Sequence, residues 1–515
     1  VAGGGTAGEP LDGAHVLLTG ATGFLGQALL ERLLRSYPGT RVSLLVRGKG
    51  SASGPDRLAG LLRKQVFRSL RKDLGAAAFE AAVATRVRVI DAELGATGVA
   101  LPADLDAVIH AASTVSFDPP IDDAFRTNVQ GVVDLYQAVR AGGGSPHVVH
   151  VSTAYVAGAR KGVVPELSLD HDADWRTELA AAMDARAEVE RDSRRPEALR
   201  RALERARREH GKSGPSSVAR AAEAARREWV TDRLVDYGRL RAQSVGWPDV
   251  YTFTKALGER VAEETLGRAL PLSVVRPAIV ESALRHPYPG WLDGFKMADP
   301  LILAFGRAIL PEFPGLPDGV LDVIPVDIVV NATLAVAAAP PPVAEPAYYH
   351  VGSGARNPLT FRDMYDNVRE YFTDHPMPDG GRGQIKVPTW DFPGARRVER
   401  MLRTGERVID VAQRALLAAP AGERTRRWQR DLSKEKDRLE FLRKYADLYG
   451  VYTEAEVIYT DARLLALHQA LPKDRRDEHG FDAADVDWPY YLQRVHCPTI
   501  TVTMRKATSG KRDSA

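Results

Sequence analysis

Cysteine occurs once in 515 residues, at Cys497. An internal disulfide and any multi-cysteine zinc or iron–sulfur site are therefore excluded, and the chain suits a reducing compartment. No uninterrupted apolar run reaches the ~18 residues that a membrane span needs. Residues 1–10 are glycine-rich and lack the charged-then-apolar pattern of a secretory signal. A cytoplasmic setting is expected, and peripheral contact with the inner membrane face stays open because it requires no span. Charge of one sign is also missing. Against 70 Lys and Arg stand 67 Asp and Glu, a net charge of +3, which speaks against a nucleic-acid partner. The 14 lysines against 56 arginines read as GC-rich coding rather than function. No Gly-x-Ser-x-Gly hydrolase elbow is present. His147, His171, His210 and His350 fall at no metal-ligand spacing, so no metal site is expected.

Hydrophobic residues make up 44% and charged residues 27%, proportions that suit a chain with a packed core rather than a disordered one. At roughly 150 residues per domain, the length allows two to four domains. After a flexible lead (1–13), short apolar runs at 15–19, 42–46, 87–90, 107–110 and 147–151 alternate with helical stretches at 25–35, 57–84 and 121–141. This alternation predicts a parallel sheet covered on both faces. Residues 166–245 break the pattern. They are rich in Ala, Arg and Glu, are interrupted at 211–217, and read as an inserted hairpin of charged helices. A lid or membrane-facing element is the alternative, which the interspersed opposite charges weaken. The pattern resumes with a helix at 251–266, a strand at 272–276 and helices at 301–310 and 326–338. Pro340–Pro342 mark a domain boundary at about 345. Residues 346–505 then read as a mostly helical second domain and 506–515 as a disordered tail.

The turn after the first apolar run is Gly20-Ala21-Thr22-Gly23-Phe24-Leu25-Gly26. Gly20 permits a tight turn, Gly23 lets the backbone approach a pyrophosphate, and Gly26 lets helix and strand pack closely, with the phosphates at the positive helix end. Thr22, Phe24 and Leu25 complete this nucleotide-binding turn. Such folds read the adenosine ribose at the end of the second strand, where Arg47 stands with no adjacent acid and with Arg57 or Lys49 to assist. A cation there favours a 2′-phosphate, hence NADPH over NADH. Asp91 is a candidate adenine contact, and Ala111 and Ala112 are small enough for a backbone lying beside the cofactor.

Tyr251 and Lys255 stand i, i+4, on one helix face. An ammonium there lowers the tyrosine pKa and holds a nicotinamide ribose, and Tyr251 protonates a carbonyl oxygen as hydride arrives. The fifth strand ends at Ser152 and Thr153. A hydroxyl at this place steadies the substrate oxygen, with Thr153 the first choice and Ser152 the alternate. Asn128 either fixes local backbone or relays protons. His110 and His150 read as structural.

These segments together resemble the fatty acyl-CoA reductase family of extended short-chain dehydrogenases, in its bacterial alcohol-forming branch. The resemblance rests on the glycine turn, on His110–Asp118, on Val149–Val156, and above all on Tyr251-Thr252-Phe253-Thr254-Lys255-Ala256-Leu257-Gly258-Glu259. Val275–Ala283, Pro289–Gly294, Asp322–Asp327, Leu448–Thr453 and Val486–Leu492 follow in order. It implies a Rossmann-like doubly wound sheet with the charged insertion and a C-terminal domain that completes the substrate site. It also implies cofactor contacts at Pro277 and Ile279, and NADPH-dependent reduction of a long-chain acyl-CoA to the alcohol through an aldehyde. Residues 278–315, with Trp291, Phe295 and Met297, are expected to line part of the acyl route. Two departures stand out: Ala278 where many members have Ser, and Asp91-Ala92 in place of Gly-Asp. Oligomeric state is not legible. An aldehyde-forming reductase of acyl-CoA or of a carrier-bound thioester has the same residues. A sugar-nucleotide epimerase shares the turn and the Tyr/Lys pair, and a membrane-associated binding protein would have kept only the fold.

Overall fold

The computed structural model describes residues 11–96, 98–296, 298–310, 316–379, 383–390 and 457–512, with scattered positions between 400 and 443. Seven strands form the central sheet: β1 (His15–Thr19), β2 (Arg41–Leu45), β3 (Val87–Ile90), β4 (Ala107–His110), β5 (His147–Val151), β6 (Leu272–Pro277) and β7 (Ala347–Val351). Their spatial order is β7-β6-β5-β4-β1-β2-β3, and every pair is parallel. Strands β1, β4, β5, β6 and β7 are buried throughout, as continuous apolar runs in a doubly covered sheet must be. The chain runs outward from β1 in one direction, then returns to lay β4 on its other side. That reversal opens a crevice beyond the carboxyl ends of β1 and β4.

One face of the sheet is covered by the helix Phe24–Ser36 and the helix Val326–Ala337. The other is covered by the helical run 121–141 and by the helix Val250–Leu266. Residues 121–141 are helical as expected, with a π turn at Arg126–Gln130. The stretch 57–84 is instead three helices, Gly54–Leu62, Arg68–Leu74 and Ala76–Arg86, because Gly75 at φ +80° stops one and starts the next.

Three boundaries differ from the sequence reading. The proline run at 340–342 does not end the α/β unit, because β7 lies beyond it and pairs with β6. An edge strand needs a partner for its backbone, and residues 347–351 supply it. Nor do the described later residues pack apart from the α/β unit. Leu464, Trp488, Cys497 and Ile500 share one apolar cluster with Leu29, Leu33 and Val329, and Val457–Tyr459 pairs with Gly162–Val164. The expected tail is helical as far as Arg512, within Cys497–Arg512. Most of the lead, residues 1–10, falls outside the described residues, but Leu11 is buried and its carbonyl accepts from the Thr40 hydroxyl. Leu448–Thr453 also lies outside them.

The insertion is three helices rather than a hairpin: Trp175–Asp192, Pro196–His210 and Pro215–Ser244, the break being confined to 211–214. Its charges pair with one another, as in Arg226 with Glu190 at 2.9 Å and Arg205 with Glu228 at 2.8 Å. Arg186 reaches back to the buried Asp122 at 2.7 Å. Gly238 has no room for a side chain, since a Cβ would lie 2.7 Å from Val250 Cγ2. The longest insertion helix thereby crosses directly against the start of the helix that carries Tyr251. Among the described residues no helix is long and apolar enough to cross a membrane.

One buried ion pair joins these layers. Arg276, on β6, donates Nη2 to Glu259 Oε2 at 2.7 Å and Nε to Oε1 at 3.0 Å. It also donates to the Leu167 carbonyl at 2.9 Å and lies 4.9 Å from the Tyr348 ring centroid. Both partners are 1% exposed. Removing one partner strands the other's charge, so Glu259→Ala should cost about 3–5 kcal/mol. Equilibrium urea unfolding checks this.

Candidate active site

The glycine turn is shaped by what it cannot accommodate. Gly20 has φ +74°, and a Cβ there would lie 2.6 Å from the Ala111 and Ala112 backbone. A Cβ on Gly26 would lie 2.1 Å from the Gly20 carbonyl oxygen. Only glycine allows β1, β4 and the following helix to converge so closely. The Thr19 hydroxyl accepts from the Ala112 amide at 3.2 Å and lies 2.8 Å from His110 Nδ1, tying the two strand ends together.

Beyond these ends opens a cleft of about 300 Å³, lined by Thr19–Gly23, Leu45–Arg47, Arg57, Ala92–Leu94, Ala111–Ser113 and Thr127. Gly20, Thr22, Gly23, Arg47, Arg57, Ala111 and Ala112 of the sequence reading thus meet in one place. Arg57 donates to the Arg47 carbonyl at 2.6 Å and to Thr22 Oγ1 at 3.2 Å, linking the phosphate turn to the end of β2. Arg47 pairs with Glu93, an acid that its sequence neighbours do not reveal. Asp91 does not line the cleft: its carboxylate accepts from the Gly54 amide at 2.8 Å and starts the next helix. The step from Asp91 to Ala92 leaves the small residue facing the nucleotide side. Phe24 and Leu25 also stand behind the cleft, where Phe24 stacks on Trp291 with ring centroids 4.9 Å apart. Trp291 is therefore a core residue and not part of an open acyl route. Phe295 is exposed, and Met297 lies outside the described residues.

Asp249 begins the second half of the site. Its carboxylate accepts from the Thr252 amide at 2.8 Å and caps the helix at the turn that holds Tyr251. Thr153, at the end of β5, shares a hydrogen bond with the Tyr251 phenol and reaches the Pro277 carbonyl at 3.3 Å. Thr153 rather than Ser152 meets the tyrosine. Ser152 is held by its amide on the Val275 carbonyl at 2.7 Å, and its hydroxyl is buried without a partner. Pro277 stands beside Thr153, and Ile279 begins a short strand (Ile279–Glu281) paired with Val323–Pro325. Phe117 lies edge-on to the Tyr251 ring at 5.8 Å. Nothing in the spacing marked Phe117 or Thr19 as site residues; both depend on where β1 and the segment after β4 come to rest.

Asn128 fixes backbone. Its carbonyl oxygen accepts from the Thr114 amide and the Ser113 hydroxyl, and its amide donates to Thr254, each at 3.0 Å. The segment after β4 is thereby pinned to the tyrosine helix. His150 and His110 are structural as read: His150 Nδ1 lies 2.6 Å from the Tyr136 hydroxyl, and burial lowers both imidazoles, His110 to about 3.

The electrostatics correct one expectation. Lys255 donates to the Val151 carbonyl at 2.6 Å. Burial and the Asp249 carboxylate raise the phenol above its ordinary value, and only the Thr153 bond opposes them. Tyr251 is therefore held firmly protonated. Burial also lowers Lys255, to about 8, against the pull of Glu259.

Residues 18–333 match the family model described as male sterility protein, an NAD-binding family. The chain belongs to that family. The chain therefore carries an NAD(P)-binding domain. The chain is 28% identical to fatty acyl-CoA reductase 2, chloroplastic, of Arabidopsis thaliana, over 95% of its own length and 78% of the relative's. It is 28% identical to an alcohol-forming fatty acyl-CoA reductase of Simmondsia chinensis, over 96% and 97%. The terminal R domain of the myxalamid PKS-NRPS pathway superposes with a TM-score of 0.54 at 18% identity, over 96% of this chain and 91% of that one, which establishes a common fold.

Below about pH 8 Lys255 carries its charge, and above it the charge is lost. NAD(P)H affinity should fall as pH rises through about 8, and Lys255→Met should bind roughly tenfold more weakly without that dependence. Fluorescence titration across this range checks both.

Proposed function

We propose that this protein is an NADPH-dependent fatty acyl-CoA reductase that converts a long-chain acyl-CoA to the fatty alcohol through an aldehyde, releasing CoA. The observation that carries the reading is the meeting of Thr153 with a firmly protonated Tyr251, beside a nucleotide cleft, in a chain whose relatives bear that name. The glycine cradle, too tight for any Cβ at Gly20, and the cations at the end of β2 fit a dinucleotide. Bound NADPH supplies the hydride. Tyr251 gives its proton to the thioester oxygen, Thr153 holds that oxygen as charge develops, and Lys255, seated on the Val151 carbonyl, orients the ribose. The hemithioacetal then expels CoA as its thiol. After exchange of the oxidised cofactor for a second NADPH, another hydride would be supplied, and Tyr251, its proton restored from solvent, would protonate the aldehyde oxygen to give the alcohol. The same proposal places the reaction in the cytoplasm, with peripheral access to acyl chains at a membrane face.

With a C16 acyl-CoA, about two NADPH should be consumed per CoA released, with hexadecanol as product by gas chromatography. One NADPH with free aldehyde would replace this reading with the aldehyde-forming one, and no consumption despite NADPH binding would overturn the substrate. Tyr251→Phe should lower turnover at least ~100-fold while leaving NADPH affinity within about twofold.

Preference for the 2′-phosphate is supported by two guanidinium groups, Arg47 and Arg57, against the single carboxylate of Glu93. Arg57→Ala should raise the KM for NADPH about tenfold and that for NADH less than about twofold. Steady-state assays with each cofactor check this.

A further inference from the structure

Away from the nucleotide cleft, three elements bring Glu281, Asp299 and His496 together. Glu281 ends the short strand after Ile279, Asp299 opens the helix Asp299–Gly306, and His496 closes the turn before Cys497–Arg512. They are 2%, 0% and 1% exposed, and one ligand atom of each lies within 4.8 Å of the others. No sequence spacing announces this cluster, which joins positions more than two hundred residues apart.

The side chains are held so that their ligand atoms face one another. Asp299 uses Oδ2 to accept from the Lys296 amide at 2.6 Å, leaving Oδ1 3.1 Å from His496 Nε2. His496 Nδ1 lies 3.0 Å from Ser282 Oγ, which lies 3.2 Å from the Tyr491 hydroxyl, and that hydroxyl donates to the Ser282 carbonyl at 2.8 Å. The proton assignment that uses every one of these contacts runs from Nδ1–H to Ser282 to Tyr491. With Nδ1–H so engaged, Nε2 faces the Asp299 oxygen, where either a proton or a metal ion bridges the two. This is how an outer partner sets the tautomer of a metal-binding histidine. Neither Glu281 oxygen has a partner at hydrogen-bonding geometry, although the Ala298 amide faces the carboxylate. The Lys296 ammonium is engaged elsewhere, on the Asp293 carbonyl at 2.6 Å and over the Phe24 ring.

We propose that Glu281, Asp299 and His496 form a buried divalent-metal site that clamps the C-terminal helices to the strand following β6. One imidazole nitrogen and two carboxylate oxygens suit Zn²⁺, Mn²⁺ or Fe²⁺. Ligands around a tetrahedral ion of this size stand roughly 3.4 Å apart, near the His496–Asp299 separation. The ion balances two buried carboxylates.

The test uses the full chain, with any affinity tag removed. Metal content is measured by mass spectrometry after purification without chelator. Chelator-treated protein is then titrated with Zn²⁺ or Mn²⁺ while thermal unfolding is followed. About one ion per chain, or a saturable rise in Tm of several degrees with either metal, supports the site when Glu281→Gln and His496→Gln abolish the response. If those variants do not fold, Co²⁺ added to the wild type must give the visible absorption of a nitrogen- and oxygen-ligated ion; its absence overturns the site. Wild-type protein with no bound metal and no ion-dependent change in Tm, or variants that respond as the wild type does, also overturns it.

Discussion

The nucleotide site depends on a steric constraint: the carboxyl ends of β1 and β4 approach so closely that no side chain fits between them. Gly20 meets the constraint by having no Cβ and by taking a positive φ, and Ala111 and Ala112 meet it from the other strand. The Thr19 hydroxyl then bonds across the gap to Ala112. The reversal of strand order at these ends opens the crevice beyond them, and the first helix begins with its amides facing into it. Gly26 serves the same geometry one turn later, where the helix rests on the Gly20 carbonyl.

The half of the candidate site that holds Tyr251 is built on the opposite face by a different device. The helix Val250–Leu266 lies close against the π turn at Arg126–Gln130 because Gly258 leaves no side chain between them; a Cβ there would lie 2.8 Å from the Asn128 carbonyl oxygen. Asn128 and Arg276 then lock that helix, one to the segment after β4 and the other to β6. The consequence is chemical. Tyr251 and Lys255 share a helix face, yet their environments separate them: the phenol is desolvated beside an acid and keeps its proton, while the ammonium turns down to a strand carbonyl. Such divergence suits one group to donate a proton and the other to hold a ribose. The insertion, with its longest helix pressed on Val250 through Gly238, acts as a buttress for this arrangement.

Much of this was legible in the sequence because it depends on local rules. Strand β1 and its glycine turn, the i, i+4 pair of Tyr251 and Lys255, and the hydroxyl at the end of β5 each follow from backbone sterics or helix periodicity within a few residues. The runs at 87–90, 107–110 and 147–151 became strands at those limits, since a doubly covered strand is a short apolar run bounded by turns. Asp91 reads as an adenine contact, whereas its carboxylate accepts from the Gly54 amide, because a carboxylate at a strand end also suits the start of a helix. The proline run at 340–342 looked like a domain boundary, because local signals cannot show that a sheet edge still lacks its last strand.

The sequence by itself determined the order of strands and helices, the glycine cradle, and which residue types bear the chemistry. Only the tertiary structure decided which hydroxyl reaches Tyr251, where the Lys255 ammonium goes, that Glu93 faces Arg47, and that Glu281, Asp299 and His496 share one buried spot. The reason is physical. Periodicity and backbone preference act over one or two turns of chain, whereas the protonation state of a buried group depends on the dielectric and charges around it, supplied by segments distant in sequence. For Tyr251 those neighbours are Asp249 and Thr153, and for Lys255 they are Val151 and Glu259. Of these four, only Asp249 lies within one turn of the tyrosine helix's start, and Glu259 within one turn of Lys255; Thr153 and Val151 come from β5, about a hundred residues earlier.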